Sequence, residues 1–103
     1  MYIVILVTAK NKKEAACIAQ GLIKDKLAAC VNIVGEIESL FWWKAKVDRA
    51  KEVLLLIKSR KDMLNKIIKR VKGLHSYDCP EIIALPVIGG YKKYLEWIDE
   101  SVR

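Results

Sequence analysis

The hydrophobic pattern changes period along the chain, and each change predicts an element. Tyr2 to Val7 is an unbroken apolar run rich in β-branched residues, the pattern of a central strand covered on both faces. From Asn11 to Lys26 the spacing becomes helical. Ala15, Ile18, Ala19, Leu22 and Ile23 form the stripe to be buried, while Lys13, Cys17, Gln20 and Lys24 lie opposite; Thr8 or Asn11 is the expected N-cap. A long apolar stretch from Leu27 through Trp43 follows, answered by a strand from Glu52 to Ser59. Arg60 to Leu74 returns to 3.6-residue spacing through Met63, Leu64, Ile67, Ile68, Val71 and Leu74, with Gly73 expected to stop the helix. Glu81 to Val87 reads as a strand whose Pro86 belongs at an edge or bulge. After Gly89-Gly90, Tyr91 to Val102 reads as a last helix packing through Tyr91, Tyr94, Leu95 and Ile98.

The long stretch organises the rest. Extended from Ala28 to Trp43 it would run roughly 50 Å, whereas a folded monomer of 103 residues has a diameter in the mid-thirties of Å, with a radius of gyration of about 13 Å. Such a strand overhangs its own domain, and its far end carries Leu40, Phe41, Trp42 and Trp43. Either it bends at Gly35, a natural bulge position, or another copy of the chain buries the overhang, or both. Oligomerisation through Phe41, Trp42 and Trp43 is therefore expected. The charged segment Lys44 to Lys51, without Pro or Gly, reads as a loose hairpin tip.

The order β-α-β-β-α-β plus a C-terminal helix predicts a single α+β domain, residues 1–103, of the split, ferredoxin-like arrangement. It would have an antiparallel sheet with two helices on one face and a long central hairpin. The other face needs cover, and neighbouring subunits are the natural source.

Composition narrows the function. The net charge of +7 comes from scattered basic residues; Lys66, Lys69, Arg70 and Lys72 read as the solvated side of a helix rather than a nucleic-acid surface. The first and third strands are aliphatic where an RNA-binding sheet of this topology carries aromatics. No apolar run reaches membrane-span length, and Met1 to Val7 lacks the features of a secretory leader. Three cysteines at irregular spacing, Cys17, Cys30 and Cys79, fit a reducing compartment, so a cytoplasmic protein without nucleic-acid or membrane partners is expected. There is one histidine and no CxxC or HxxxH, too little for a closed tetrahedral metal site from one chain; His75 reads first as a loop histidine hydrogen-bonded to backbone and second as a weak candidate ligand that copies could bring together. No phosphate loop and no nucleophile-base set is assembled, which argues against an enzyme. Polar residues set into apolar surroundings mark a candidate ligand cleft: Cys30 and Asn32 early in the second strand, Lys58 late in the third, and Tyr77, Asp78 and Glu81 around Pro80.

These stretches also carry a resemblance. Leu27-Ala28-Ala29-Cys30-Val31-Asn32-Ile33, Ser39-Leu40-Phe41-Trp42-Trp43, Glu52-Val53 with Lys58, His75-Ser76-Tyr77-Asp78-Cys79-Pro80-Glu81-Ile82 and Tyr94-Leu95-Glu96-Trp97-Ile98 together resemble the CutA divalent-cation tolerance proteins, in the family's order and over nearly the whole length. The chain departs from the family at Ser76, where a Pro is usual, and at Ala45, where the hairpin usually has Gly. The resemblance implies a homotrimer with interlocked hairpins, an architecture similar to PII signalling proteins, and a link to tolerance of copper and other divalent cations. Bacterial members proposed to bind copper use a first-strand Cys and a His-His pair; at those positions this sequence has Val7, Leu74 and His75, keeping one ligand of three. The expectation is a trimeric binding or signalling protein of the divalent metal response. The alternative is a PII-like small-molecule sensor whose inter-subunit cleft includes Lys58, Tyr77 and Glu81, with metal incidental.

Overall fold

The computed structural model describes all 103 residues. Its elements are β1 (Tyr2–Ala9), α1 (Lys12–Lys24), β2 (Cys30–Trp43), β3 (Lys46–Arg60), a 3₁₀ turn at Lys61–Met63 running into α2 (Leu64–Leu74), β4 (Ile82–Pro86) and α3 (Lys92–Ser101). The four strands form one antiparallel sheet in the order β2-β3-β1-β4, the split βαβ topology expected from the element order. The aliphatic run of β1 is central, hydrogen-bonded to β3 on one side and β4 on the other. Pro86 ends the edge strand β4, where its missing N–H costs no ladder bond.

One face of the sheet is the core. Ile3, Ile5, Val7 and Ala9 of β1 alternate inward with Val53, Leu55 and Ile57 of β3, and against them pack Ala15, Ile18 and Leu22 of α1 and Ile67 and Val71 of α2. Burying each of the larger aliphatic side chains is worth about 1.5–3 kcal/mol. Within this layer Ser59, also buried, donates its hydroxyl to the Leu27 carbonyl at 2.6 Å, tying the end of β3 to the approach of β2. Asn11 is the N-cap of α1, its side chain accepting from Glu14 N–H at 2.8 Å; the helix is shorter than the pattern suggested, and Ile23 falls outside the stripe at 44% exposure.

The opposite face carries Val4, Leu6 and Thr8 of β1, Leu54, Leu56 and Lys58 of β3, Cys30, Asn32 and Val34 of β2 and Ile83 and Leu85 of β4, as the pairing register requires. Helix α3 crosses only one end of it. Asp99 accepts from the hydroxyl of Tyr2 at 2.5 Å and pairs with Arg60, and Tyr94 reaches Cys30. Ile98 and Val102 are buried, whereas Tyr91, expected on the packed face, is exposed.

The central hairpin differs from the expected loose tip. The turn is only Lys44-Ala45, both at positive φ (50° and 64°), the handedness that suits a two-residue hairpin connection. Lys46 to Lys51 are ladder residues paired with β2, so β3 is 15 residues long. Charge and the lack of glycine hid the turn, and pairing to the long partner strand prevailed. The register shifts between Val34 and Ile37, a bulge where Gly35 was expected to place one. Beyond it, β1 has ended at the level of Val53, and β2 and β3 continue alone as a two-stranded arm. The molecule is consequently elongated, 44 × 26 × 23 Å with a radius of gyration of 14.1 Å. Leu40, Phe41, Trp42, Trp43 and Val47 of the arm are all exposed. Gly73 also differs from expectation: it lies inside α2 without positive φ, and the helix ends because His75 turns extended.

Candidate functional site

The arm and the loop from His75 to Glu81 face each other across a groove of about 860 Å³. The arm contributes Ser39, Phe41, Asp48 and Ala50 from facing rungs of the ladder, with Trp43 at the tip. The loop contributes Tyr77, Asp78, Cys79 and Glu81, while Thr8 and Glu52 lie at the root. An aromatic wall therefore meets four carboxylates (Asp48, Glu52, Asp78 and Glu81) in a chain that is otherwise basic.

The loop is held from below by His75, whose side chain is fully buried. Its Nε2 donates to the Thr8 carbonyl at 2.7 Å and its Nδ1 accepts from Tyr77 N–H at 3.1 Å, which together select the Nε2–H tautomer. Glu14 Oε1 stands 3.6 Å from Nδ1. Burial alone would raise the Glu14 carboxyl; hydrogen bonds from Ser76 and from Lys10 N–H, with the nearby charge of Lys10, outweigh it and keep the pKa below the usual carboxylate value. Tyr77 packs its ring on His75, centroids 4.7 Å apart, and donates its hydroxyl to Glu52 Oε2 at 3.0 Å. Burial, then the hydrogen bond and charge of Glu52, push the phenol up to about 12. Lys72 donates to the Asp78 carbonyl and pins the loop to α2.

This geometry divides the residues predicted for one cleft. Tyr77, Asp78 and Glu81 line the groove. Cys30, Asn32 and Lys58 do not: Cys30 pairs with Lys58 on the sheet, and Lys58 is six residues along β3 from Glu52, roughly 20 Å of extended strand. Within one chain these are two sites, because register, which the linear sequence does not display, puts them at opposite ends of β3. His75, the candidate metal ligand, spends both ring nitrogens on backbone groups. No group of three or more His, Cys, Asp or Glu side chains is arranged to hold a metal ion. Phe41, Trp42 and Trp43, expected at a subunit interface, are exposed in their own chain. Glu52 and Glu14 escaped sequence reasoning. The only signal for Glu52 is a carboxylate opening the unbroken apolar block Val53 to Ile57.

The profile of the family described as CutA1 divalent ion tolerance protein matches residues 3–101. The chain belongs to the CutA family. It is 43% identical to the divalent-cation tolerance protein CutA of Archaeoglobus fulgidus, with each chain covered in full, and 50% identical to the chloroplastic Protein CutA 1 of Oryza sativa. It covers 98% of its own length in the rice match but 57% of the rice protein, and 56% of the chloroplastic CutA of Arabidopsis thaliana; the chain thus spans little more than half of these plant relatives. Among solved CutA structures, that from Thermus thermophilus superposes with a TM-score of 0.98 at 41% identity over all of both chains. The A. fulgidus structure, whose protein is described as periplasmic, superposes with a TM-score of 0.97, again over both full chains. The four-stranded antiparallel sheet with three helices is thus the CutA fold.

Proposed function

We propose that this CutA chain works as a homotrimer that binds rather than transforms its ligand, in the cellular response to divalent metal ions. The observation that carries this reading is the family match across the whole fold, which brings the divalent-cation tolerance described for its relatives. The trimer is supported by the arm, whose aromatic and aliphatic side chains Leu40, Phe41, Trp42, Trp43 and Val47 are exposed together in their own chain, as apolar residues clustered at an interaction surface are. A cation would take ligands from more than one copy, since one copy groups too few donors. A metal site of the first-strand Cys and His-His kind does not fit this chain, which has Val7, Leu74 and a backbone-bonded His75 at those positions. The three unpaired cysteines support a reducing, cytoplasmic location.

A second reading is a small-molecule sensor of PII-like architecture, favoured by the groove, whose size and aromatic wall suit an organic ligand. Native mass spectrometry of the purified protein separates the readings. The first expects a trimer that retains added copper(II) or another divalent cation at up to three copies; the second expects a trimer retaining an organic species. A trimer that holds neither after exposure to a cation series and to cell extract would contradict both.

A further inference from the structure

At the far end of β3 from the groove, two basic side chains stand two residues apart on the same sheet face, and they are treated differently. Arg60 is neutralised by Asp62, with Nε to Oδ1 at 3.1 Å, and by Asp99 at 3.5 Å. Lys58 has no carboxylate within ion-pair distance. It is half-buried, set among Val4, Leu56 and Cys30 on the apolar face. The polar group its ammonium meets is the Cys30 thiol, Nζ to Sγ at 3.9 Å, a weak acceptor. A partly desolvated ammonium without a counter-charge is costly, and folding gains nothing evident from placing one here. Asn32 lies on the same face diagonally across from Lys58, at a Cβ separation of about 7–8 Å, and is exposed. An oxyanion between them would accept from the ammonium and from the amide together.

We infer that Lys58 and Asn32 form a binding site for a small oxyanion, a carboxylate or a phosphoryl group, with Cys30 and Tyr94 as its wall. The inference goes beyond both readings: the site lies at the other end of β3 from the groove and takes a separate, anionic ligand. Lys58 is the anchoring charge and Asn32 the orienting donor.

Calorimetric titration of the intact protein with inorganic phosphate, and separately with succinate, at constant ionic strength tests it. Saturable binding of either ion is expected, weakened roughly tenfold or more by Lys58→Gln, retained in Lys58→Arg and untouched by Lys51→Gln on the arm. Phosphate alone assigns a phosphoryl ligand, succinate alone a carboxylate. Absence of saturable binding, or equal weakening by Lys51→Gln, overturns the site. So does protection of Lys58 from reductive methylation in the ion-free assembly, because a partner copy would then supply the counter-charge. Any of these with the native trimer intact defeats this inference alone; loss of the trimer would strike at the functional reading.

Discussion

Strand β3 is two strands in one. From Val53 to Arg60 it lies between β1 and β2, and its alternate residues Val53, Leu55, Ile57 and Ser59 are buried under α1 and α2. From Lys46 to Lys51 it makes the same hydrogen bonds to β2, but nothing flanks its other edge and no helix covers it. Backbone pairing to β2 is alike in the two halves; pairing on the other edge and side-chain cover are not. A two-stranded ribbon is marginal alone in water, so the arm's persistence as an ordered element depends on what covers Leu40, Trp42, Trp43 and Val47. The inner half makes the domain; the outer half presents side chains that the domain leaves uncovered.

Substitution should separate the halves. Leu55→Ala, at a position with no solvent exposure, is expected to cost about 2–5 kcal/mol in chemical denaturation. The arm substitution Trp42→Ser is expected to leave the domain's far-ultraviolet dichroism unchanged while moving the native mass from three copies of 11.8 kDa toward one. An equal loss of fold from both would erase the distinction. Ala45→Gly tests the turn: relief of a left-handed alanine is worth about 1 kcal/mol, so a modest gain in stability is expected without change of mass.

The groove sharpens the comparison at the boundary between the halves, where Tyr77 bonds Glu52. The phenol's folded pKa, about 12, lies above its ordinary value of 10.0. Its contribution to stability is therefore complete below pH 10 and lost as pH rises through about 12. Glu52→Gln should lower the tyrosinate transition of Tyr77 toward 10 in a near-ultraviolet titration, with Tyr77→Phe identifying the signal. An unmoved transition would mean that burial alone raises the phenol.

The inner half was legible in the sequence because its pattern is local. The β-branched run of β1, the stripe of Ile67 and Val71 and the glycine at the bulge each state their role within a few residues. The arm's length was legible as an excess of strand over domain, though Lys44-Ala45 concealed its turn by lacking the usual glycine. The site residues were legible as residue types but not as groups. Tyr77, Asp78 and Glu81 are joined to Glu52 by the fold, and parted from Lys58 by the register of β3, and neither relation has a sequence spacing. For His75 the backbone-bonded state was legible but its partners were not, because the Thr8 carbonyl that occupies Nε2 lies on another strand.

Amide hydrogen exchange along β3 tests the central claim most directly. If other copies bury the arm, residues 46–51 will be protected to a degree comparable with residues 53–60, because opening them requires the assembly to open. Rapid exchange in residues 46–51 beside slow exchange in residues 53–60 would show an uncovered ribbon, and would contradict the account of the arm as an interface.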